Sequence, residues 1–577
     1  MARALGIGYQ SFEQIIVNHN FYVDKTMFIK EWWENQDAVT LITRPRRFGK
    51  TLTMSMTEQF FSLEYANRGE LFQGLSIWRE EKYRKLQGTY PVIALSFAGI
   101  KETSYEDAVK KIKQLLAGVY AKHYYLLDSE VLTPIDKRFF QSISVDMDTV
   151  EASLAIHRLS EYLFRYYGKK VLILLDEYDT PLQEAYVRGY WKELVAFTRN
   201  LFNSAFKTNP YLDRAIMTGI TRVSKESIFS DLNNLVVVTT TSDSYMDSFG
   251  FTEQEVWEAL EEFKLSEKKE EVKGWYDGFT FGTKKDIYNP WSIINYLKTG
   301  IFSAYWANTS SNSLAGRLIR GGSSNIKLGM EELMRGRTIQ VQLDEQIVFD
   351  QLDQDENAVW SLLLASGYLK VRRYEAHMTE FGDWIQSYEL ELTNFEVRVM
   401  FRGMIQSWFG VVRTDYNEFI RALLLGDTEA MNEYMNRVSE AVFSSFDTGG
   451  KSSGRTEPER FYHGFVLGLM MDLNDRYVIT SNRESGFGRY DLQLEPRRET
   501  DDAILIEFKV RNQNRERSLK DTVQEALAQI EERKYGAALE ARGVRPERIR
   551  KLGFAFEGRQ VLIGSAGSMI DEKDRIW

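Results

Sequence analysis

The chain has 577 residues, of which 43% are hydrophobic and 13% aromatic, and it contains no cysteine. This length exceeds what one hydrophobic core organises and predicts about three domains. The hydrophobic content argues against disorder, and the lack of cysteine excludes disulfides and thiolate zinc sites. The net charge of −10 argues against a simple, uniformly basic nucleic-acid binder, although it leaves room for a local basic channel.

Two features of the sequence bear on where the protein works. The first residues, MARALGIGYQ, lack a charged start followed by a long apolar segment, so no secretory signal is expected. The longest strongly apolar stretches, such as FVLGLMM, are too short to cross a bilayer. With no cysteine to oxidise, the sequence predicts a soluble, cytoplasmic protein without a membrane partner.

An incomplete phosphate-binding motif follows the first β-rich run, AVTLIT. The loop RPRRFGKT has Gly49, Lys50 and Thr51 in place but Arg44 where the first glycine is expected, and helical spacing follows. Backbone N–H groups and the helix N-terminus would hold phosphates, Lys50 would reach the β and γ oxygens, and Thr51 would hold Mg²⁺. We add Arg47, inside the loop, to the expected ATP-binding set. When this loop is considered by itself, the competing interpretation is an ordinary loop in which the sequence GKT occurs by chance.

A second motif makes the first more specific. The apolar run VLILL predicts a buried parallel strand, and it ends in Asp176 and Glu177. Asp176 would bind the Mg²⁺ shell of ATP, and Glu177 would polarise the attacking water. A solvated acidic turn, which DEYDTP resembles, is the alternative. Both motifs in one chain and in this order favour ATP binding.

The residues between and after these motifs complete an AAA-like arrangement. YPVIALSF predicts a strand, and the segments near 105–127 and 150–167 predict helices. A long helix is expected over 182–206, followed by the strand RAIMTGIT, which ends in Thr221 and Arg222. In this arrangement the last strand presents a sensor residue to the γ-phosphate, so Arg222 is the candidate sensor. An ordinary surface arginine is the competing interpretation.

Five sequence stretches together resemble a bacterial AAA-ATPase-like family. They are NFYVDKT, RPRRFGKT, LLDEYDTP, TGITRVSKESIFSDLNNL and GWYDGFTF with the later IYNPWSI, and they fall between about residues 8 and 312. The resemblance accounts for Arg44, because the loop of that family also lacks the first glycine. It implies an ATPase core that uses ATP with Mg²⁺. It also implies a C-terminal PD-(D/E)xK nuclease domain, which members of the family usually carry.

The region after the ATPase core predicts a lid and then helices. FTEQEVWEALEEF begins with a capping box formed by Thr252 and Glu255, and GWYDGFTFGTKKDIYNP predicts a β-hairpin turning at 282–284. A helical pair followed by a hairpin fits a winged-helix DNA reader and a structural lid equally well. Residues from about 325 to 440 are helix-rich and carry no recognisable chemistry.

The C-terminal segment has the element order of a small α/β domain. A glycine- and serine-rich linker, TGGKSSGRT, is followed by a helix (EPERFYHGFVLGLMMDL) and a strand (YVITS). RYDLQL and AILIEFKV predict a hairpin. One more helix (RSLKDTVQEALAQIEERKY) and two strands (LGFAFEG, QVLIG) complete an αβββαβ order with an additional last strand.

Charged residues on the predicted hairpin point to a second catalytic centre. Glu507 and Lys509 alternate with Phe508 and so share one face, where Asp491 on the adjacent strand can meet them. Two carboxylates suit Mg²⁺ or Mn²⁺, which would activate water against a phosphodiester while Lys509 orients that water or offsets charge. Glu459 on the preceding helix would add a third carboxylate. A solvated charged face is the alternative, although ILIEFKV is apolar enough for a central strand.

The pattern Asp-x₁₅-Glu-x-Lys in this element order looks like the nuclease domain that the family resemblance implies. Gln529 matches a helix residue that often faces such sites, but a plain amphipathic helix explains it nearly as well. A structural role is favoured over metal ligation for His463. Two basic clusters flank the site and would contact phosphates, unless they are ordinary solvated faces; they comprise Arg511, Arg515, Arg517 and Lys520, and later Arg542, Arg545, Arg548, Arg550 and Lys551.

These observations predict an α/β protein of four parts. We expect an AAA-like P-loop ATPase core over 1–245, a lid or winged-helix-like region over 246–324, a helical connecting region over 325–440, and a restriction-endonuclease-like domain over 441–577. The predicted function is an ATP-regulated, metal-dependent nuclease that acts on nucleic acid, with DNA as the expected substrate; a homo-oligomer is compatible with it. The rival hypothesis is a nucleotide-dependent regulatory or DNA-binding switch whose nuclease fold does not cut.

Overall fold

The computed structural model divides the chain into two compact units. The first comprises Met1–Gly322 and Glu332–Met400, and the second comprises Ser323–Glu331 and Phe401–Trp577. The residues that the structure describes are 3–221, 229, 232–306, 313–343, 352, 355–378, 384–408, 416–443, 466, 470, 473, 476–485, 488–498, 501–513, 515–557 and 560–565.

The helices and strands follow one another in this order along the chain up to residue 299: α1 (Phe12–Val17), α2 (Met27–Asn35), β1 (Val39–Thr43), α3 (Lys50–Phe61), α4 (Ser76–Arg79), α5 (Glu81–Arg84), β2 (Val92–Ser96), α6 (Tyr105–Lys122), α7 (Pro134–Ser142), α8 (Thr149–Tyr167), β3 (Val171–Asp176), α9 (Thr180–Arg188), α10 (Trp191–Phe202), β4 (Leu212–Gly219), β5 (Leu235–Val238), β6 (Phe251–Thr252), α11 (Glu253–Glu262), α12 (Lys269–Tyr276), β7 (Phe279–Phe281), β8 (Lys284–Tyr288) and α13 (Pro290–Thr299).

The remaining elements are α14 (Ser313–Gly321), α15 (Ser324–Met334), β9 (Ile339–Val341), α16 (Glu356–Ala365), β10 (Leu369–Met378), β11 (Trp384–Leu392), α17 (Phe395–Trp408), α18 (Tyr416–Leu425), α19 (Thr428–Phe443), β12 (Tyr477–Ser485), β13 (Gly488–Pro496), β14 (Ala503–Val510), α20 (Leu519–Glu532), α21 (Ala537–Glu540), β15 (Ile549–Glu557) and β16 (Gln560–Ser565).

A five-stranded parallel sheet forms the centre of the first unit. Its strand order is β2-β3-β4-β1-β5, and all four pairs of neighbouring strands run parallel. Strands β1 and β3 are buried along their whole length, which is why they read as continuous apolar runs in the sequence. Because parallel strands end at the same edge of a sheet, Thr43, Asp176 and Gly219 all arrive at one edge. The parallel α/β core predicted from the sequence is confirmed.

The long helix expected over 182–206 is wrong, because two helices and a π-helical turn replace it. Helix α9 ends at Arg188, and Gly189 follows in the left-handed conformation with φ 87°. The Gly189 N–H donates to the Ala185 carbonyl, which closes the end of the helix. Helix α10 then runs to Phe202, and the π-helical turn Asn203–Lys207 ends the pair.

The region after the parallel sheet contains the expected helices and hairpin. Thr252 and Glu255 form the predicted capping box of α11, and strands β7 and β8 pair as the predicted hairpin. Strand β6 adds to β8 and makes a three-stranded sheet. The helices expected over about 325–440 are present as α15 to α19, and α14 precedes them. A three-stranded antiparallel sheet of order β10-β11-β9 accompanies them and was not predicted. Strand β10 is mostly exposed and polar, so its sequence lacks the apolar pattern from which this sheet could have been predicted.

The second unit is built on a mixed five-stranded sheet of order β12-β13-β14-β15-β16. Strands β14 and β15 are parallel, and the other neighbours are antiparallel, as a hairpin followed by a helical crossover requires. The two faces of β14 pack against different helices. Ile504, Ile506 and Phe508 join the core that contains Phe419 of α18 and Met431 of α19. The order of these strands along the chain, the β13–β14 hairpin and the orientation of Phe508 away from the face of Glu507 agree with the predictions from the sequence.

The opposite face of β14 packs against α20. Ala503 and Leu505 share a core with Ile530 of α20 and with Tyr535 and Leu539 after it. Glu507 belongs to the same alternating set and therefore faces α20, whereas Phe508 faces the other layer. This places the predicted site beneath a helix.

Two asparagines of α19 cover the open edge of the sheet. Asn432 accepts from the Ile563 N–H at 2.6 Å and donates to the Ile563 carbonyl at 2.8 Å. One helical turn later, Asn436 makes the same pair of bonds with Val561 at 2.9 and 2.7 Å. The amides thus replace a neighbouring strand and leave β16 no free edge at these residues.

A glycine in β15 permits the close approach of α20 to the sheet. A Cβ atom at Gly553 would lie 2.9 Å from the Val523 carbonyl oxygen and 3.1 Å from the Ala526 Cβ. Gly553→Ala should therefore destabilise the second unit by about 1–3 kcal/mol, measured by calorimetric unfolding of the intact chain.

Gly536→Ala is the matched control for this substitution. Its Cβ would meet no atom closer than 3.4 Å, and its backbone is right-handed helical, so stability should be unchanged or slightly higher. Equal effects of the two substitutions would contradict the packing argument.

Candidate functional site

The loop after β1 begins with a buried arginine that serves the fold. Arg44 has no solvent exposure, and its guanidinium donates to the carbonyls of Thr43, Thr239 and Ser244 at 3.0, 2.6 and 3.1 Å. It also lies 4.5 Å from the ring centre of Phe281. Burial lowers the Arg44 pKa to about 9. Arg44 therefore ties β1 to the segment after β5, and its side chain is used away from any phosphate.

The second half of the loop has the backbone of an anion-binding turn. Arg47 and Gly49 both have positive φ, 66° and 88°, and α3 begins immediately afterwards at Lys50. Residues in the left-handed conformation between right-handed ones direct successive N–H groups to one side of the chain. The N-terminus of the 12-residue helix α3 adds its free N–H groups at the same point. These features fit the phosphates of a nucleotide.

Lys50 lies deep beneath this loop. It is 4% exposed, and its Nζ donates to the carbonyls of Arg44 and Pro45, both at 2.9 Å. Burial lowers the Lys50 pKa, while negative charge on Glu177 and Asp176 opposes that shift. The ammonium is thus a buried cation that faces the acidic end of β3, which suits it to contact phosphate oxygens.

The Asp176 carboxylate joins the loop helix to the neighbouring strand. Its Oδ2 accepts from the Thr51 hydroxyl at 2.7 Å, and its Oδ1 accepts from the Thr218 hydroxyl at 2.5 Å. Burial raises the Asp176 pKa, and these two hydrogen bonds work against the rise. A hydroxyl and a carboxylate in contact form the oxygen-donor set that Mg²⁺ uses with a bound nucleotide. Thr51 and Asp176 therefore fit Mg²⁺, as ligands drawn from both sequence motifs.

Thr218 was missed in the sequence, although strand register offers a signal for it. Strands β3 and β4 pair Leu175 with Met217, so the next residues along, Asp176 and Thr218, are neighbours. Besides holding Asp176, the Thr218 hydroxyl accepts from the Glu177 N–H at 3.3 Å. One hydroxyl on the adjacent strand thus orients both predicted acidic residues.

The acidic turn itself is buried, contrary to the solvated alternative. Glu177 adopts a left-handed conformation with φ 50°, which turns the chain sharply after β3. The Tyr178 hydroxyl donates to the Thr221 carbonyl at 2.8 Å. Asp179 is 1% exposed, and its Oδ2 accepts from the N–H groups of Ile220 and Thr221 at 3.0 and 2.9 Å. Burial raises the Asp179 pKa. The turn is therefore docked onto the end of β4.

The region after β5 holds the loop from the other side. Phe48 packs between Phe279 and Phe281 of the β7–β8 hairpin, with ring centres 4.8 and 5.3 Å away. The exposed Arg47 places its guanidinium 4.4 Å from the ring centre of Trp291 in α13. The β7–β8 hairpin and α13 therefore support the nucleotide loop.

Three residues named from the sequence lie outside the described residues. They are Arg222, the candidate sensor, and the helix residues Glu459 and His463. Their predicted roles stay predictions. Thr221, the residue before Arg222, is fully buried and held by the acidic turn.

The second candidate centre lies on neighbouring strands of the second unit. Strands β13 and β14 pair Leu492 with Ile506, so the next residues, Asp491 and Glu507, stand opposite each other. Asp491 Oδ2 accepts from the Phe508 N–H at 2.8 Å, and Glu507 is 3% exposed. Directly opposed residues on adjacent strands point to the same face. The structure therefore brings the two predicted carboxylates together.

Helix α20 contributes two side chains to this face, and one of them was missed in the sequence. The Gln529 amide donates to Glu507 Oε1, and it also donates to the Tyr535 hydroxyl at 3.1 Å. Lys509 Nζ lies 3.1 Å from Glu525 Oε1, four residues before Gln529 on the helix. The i, i+4 spacing of Glu525 and Gln529 is the signal that could have identified Glu525.

The donor set of this centre suits a hard cation. Asp491 and Glu507 supply carboxylate oxygens, which Mg²⁺ and Mn²⁺ prefer, and sites for these ions commonly use only one or two carboxylates with water and substrate oxygens. Within the described ranges, which exclude Glu459, no group of three or more His, Asp or Glu side chains forms a complete metal site. The two carboxylates therefore fit a site that substrate completes.

Most of the basic residues near this centre have acidic partners within the protein. The ion pairs are Arg511 with Glu557, Arg542 with Glu495, Arg548 and Arg550 with Asp502, and Lys551 with Glu531. These residues support the fold of the second unit. Arg515 and Arg517 are exposed and remain candidates for phosphate contacts.

A parallel sheet with a phosphate-type loop after β1 and an acidic end on β3 defines the class of P-loop NTPases. Residues 6–229 match a family model described as predicted AAA-ATPase, and residues 457–566 match the PD-(D/E)XK nuclease superfamily. The chain thus carries an AAA-ATPase-like domain followed by a PD-(D/E)XK nuclease-superfamily domain, which confirms the architecture predicted from its motifs.

A curated relative in Azotobacter chroococcum mcd 1 is described as an uncharacterized protein in the vnfD 5′ region. It is 27% identical over 311 residues, which are 54% of each chain, so the match spans about half the length of that relative. The description assigns no activity to it.

Among the described residues, no helix is both long enough and apolar enough to cross a membrane.

Thr218→Val should reduce by about 10- to 100-fold the ATP hydrolysis that we expect of this domain. The substitution keeps the β-branched shape but removes the hydroxyl that holds Asp176 and the Glu177 N–H, and an unsatisfied buried acceptor costs about 1–3 kcal/mol. Steady-state hydrolysis and thermal unfolding would be measured on the same preparations.

Thr198→Val is the control, because this buried hydroxyl donates to the Leu194 carbonyl inside α10 and lies outside the site. We expect Thr198→Val and Thr218→Val to have comparable thermal stability, and we expect Thr198→Val to hydrolyse ATP at the wild-type rate. Normal hydrolysis by Thr218→Val would show that the Asp176 contact is unimportant for activity.

Proposed function

We propose that this protein is an ATP-regulated, metal-dependent nuclease that hydrolyses phosphodiester bonds in DNA. The placement of Asp491 and Glu507 opposite each other, beneath α20 and beside Lys509, carries the proposal. Glu507 is buried and Asp491 is half-buried, and burying carboxylate charge on a nuclease-type sheet is costly unless it serves a cation. The AAA-ATPase-like domain in the same chain supports control of cutting by ATP.

In the ATPase domain, each residue of the predicted set has a proposed role, and for those that the structure describes the position supports it. Lys50 binds the β and γ oxygens of ATP, and Gly49 with Arg47 shapes the loop around them. Thr51 and Asp176 hold the Mg²⁺ that accompanies the nucleotide. Glu177 accepts a proton from the attacking water. Arg222 is the proposed sensor of the γ-phosphate.

In the nuclease domain, Asp491 and Glu507 hold Mg²⁺ or Mn²⁺, with Glu459 as a third ligand. When bound there, the ion polarises the phosphodiester and activates water. Lys509 orients that water or offsets negative charge on the phosphate. Gln529 fixes the Glu507 carboxylate through its amide. Action in the cytoplasm and as a homo-oligomer are further parts of the proposal.

One observation favours a second function, a nucleotide-dependent regulatory or DNA-binding switch that does not cut. Lys509 pairs with Glu525, and Glu507 accepts from Gln529, so both residues already have protein partners. Intramolecular partners of this kind can also represent a purely structural network. Incubation of the purified chain with plasmid and single-stranded DNA and RNA, with Mg²⁺ or Mn²⁺ and with or without ATP, separates the two functions.

Lys50→Ala should abolish ATP binding, because it removes the buried charge that meets the β and γ oxygens. Glu177→Gln should instead leave ATP bound but unhydrolysed, since only water activation is lost. Calorimetric titration and a phosphate-release assay would measure the two effects. Equal nucleotide affinity for the wild type and Lys50→Ala would refute the ATPase assignment.

Asp491→Ala or Glu507→Ala should remove binding of Mn²⁺ to the nuclease centre and DNA cleavage together. Lys509→Ala should leave that Mn²⁺ affinity intact while slowing cleavage about 100-fold, because it acts on water or phosphate and not on the ion. ATP affinity should not change in any of the three. Calorimetry with Mn²⁺ in a Lys50→Ala background and plasmid nicking would measure these quantities.

Glu531→Gln is the matched control for this series, because Glu531 lies on the same helix and pairs with Lys551 at 2.6 Å. Its cleavage rate should match that of the wild type. Loss of folding in Glu507→Ala and Lys509→Ala, with no cleavage of any nucleic acid by the parent, would favour the regulatory function.

A further inference from the structure

The third residue of the RPRRFGKT loop, Arg46, has its backbone held in place from two sides. Its carbonyl accepts from the Asn289 side-chain amide at 3.3 Å and from Trp306 Nε1 at 3.0 Å. Both donors belong to the region that follows the parallel sheet. The Arg46 side chain therefore starts from a fixed point in the nucleotide loop.

The Arg46 guanidinium reaches towards the acidic turn. Its Nη2 lies 3.4 Å from Gln183 Oε1, and Gln183 Nε2 donates to Asp179 Oδ2 at 2.9 Å. The same Asp179 oxygen accepts from the N–H groups of Ile220 and Thr221. A continuous chain of hydrogen bonds thus links the loop, α9 and the end of β4.

This chain of contacts places Arg46 on the side of the loop where the phosphates would end. Asp176 and Glu177 directly precede the turn that contains Asp179, and Asp176 contacts Thr51 at the start of α3. Burial chiefly lowers the Lys50 pKa, and positive charge on Arg46 lowers it further, so the two cations share one electrostatic environment. If Lys50 contacts the β and γ oxygens as proposed, negative charge on the γ-phosphate would develop in this environment.

The other two loop arginines do not occupy this position. Arg44 is buried against backbone carbonyls, and Arg47 lies over the ring of Trp291. Arg46 is also half-buried, which limits its movement more than that of the exposed Arg47. Its forked N–H donors match phosphate oxygens better than an ammonium does.

We propose that Arg46 is a catalytic arginine that acts in cis on the γ-phosphate, with Gln183 and Asp179 as its positioning residues. The water oxygen bonds to the γ-phosphorus while the bond to the β–γ bridging oxygen breaks, which gives ADP and phosphate. The water proton passes to Glu177 and then to solvent. Arg46 exchanges no proton; it neutralises charge on the γ oxygens. The proposal rests on the proposed ATPase activity.

Arg46→Ala should lower kcat for ATP hydrolysis by about 100- to 1000-fold, the range typical for loss of one donor that acts on the transition state. The Kd for ADP should change less than about 2-fold, because ADP lacks the γ-phosphate. Arg46→Lys should recover part of the rate. Gln183→Ala should lower kcat about 10-fold while leaving ADP affinity intact, since it releases the guanidinium without removing its charge.

Arg84→Ala is the control. Arg84 is an exposed arginine of α5 in the same unit, and it donates to the Trp78 carbonyl and lies over the Trp78 ring. Its kcat and its ADP affinity should match those of the wild type. Full-length protein would be used throughout, with phosphate release for kcat and calorimetric titration of ADP for Kd.

The outcomes separate this proposal from the one on which it rests. If the wild type binds and hydrolyses no ATP, the proposed function fails and the role of Arg46 fails with it. If the wild type hydrolyses ATP and Arg46→Ala does so at the same rate, only the role of Arg46 is refuted. Parallel losses of ADP affinity and kcat would make Arg46 a general phosphate binder and refute the catalytic role. If Arg46→Ala does not fold, Arg46→Lys decides: a normal kcat refutes the role, and a loss of 10-fold or more supports it.

Discussion

The Asp176 carboxylate is the interaction on which the nucleotide site depends. One of its oxygens accepts a hydrogen bond from Thr51 in the helix after the loop, and the other accepts one from Thr218 in the neighbouring strand. The end of β3, the start of α3 and the end of β4 are therefore fixed to one another by a single side chain. Burial raises the Asp176 pKa, and the two hydroxyl donors and the positive charge of Lys50 oppose that rise, so the charged carboxylate is suited to bind a cation.

The loop itself is held by parts of the chain that are distant in sequence. Arg44 replaces the expected glycine because its side chain is needed to bind the carbonyls of Thr239 and Ser244. Phe48 packs into the hairpin from the other end, between Phe279 and Phe281. Two loop residues have positive φ. Glycine adopts this conformation without strain at Gly49, whereas at Arg47 it is strained because the residue carries a side chain. The hairpin region therefore helps to hold the shape of this loop.

The sequence predicted the strands and most helices of both domains because their apolar patterns are strong and local. VLILL and AILIEFKV are short, mainly apolar runs of the kind that buried strands show, and both are strands in the structure. The break at Gly189 was missed because a single glycine does not always end a helix. Thr218 and Glu525 were missed for another reason: each matters through a partner on a different element, and only strand register or helix packing reveals that partner.

The two candidate centres follow the same physical rule in unrelated folds. Each has a buried carboxylate on a central strand, Asp176 at the end of β3 and Glu507 within β14. In each, the hydrogen-bond donors are neutral groups: threonine hydroxyls in the first, and the Gln529 amide in the second. A direct ion pair would offset much of the carboxylate charge that attracts a metal ion. Neutral donors instead orient the oxygens and preserve their charge. The nearby lysines have other partners, because Lys50 donates to the carbonyls of Arg44 and Pro45 and Lys509 pairs with Glu525.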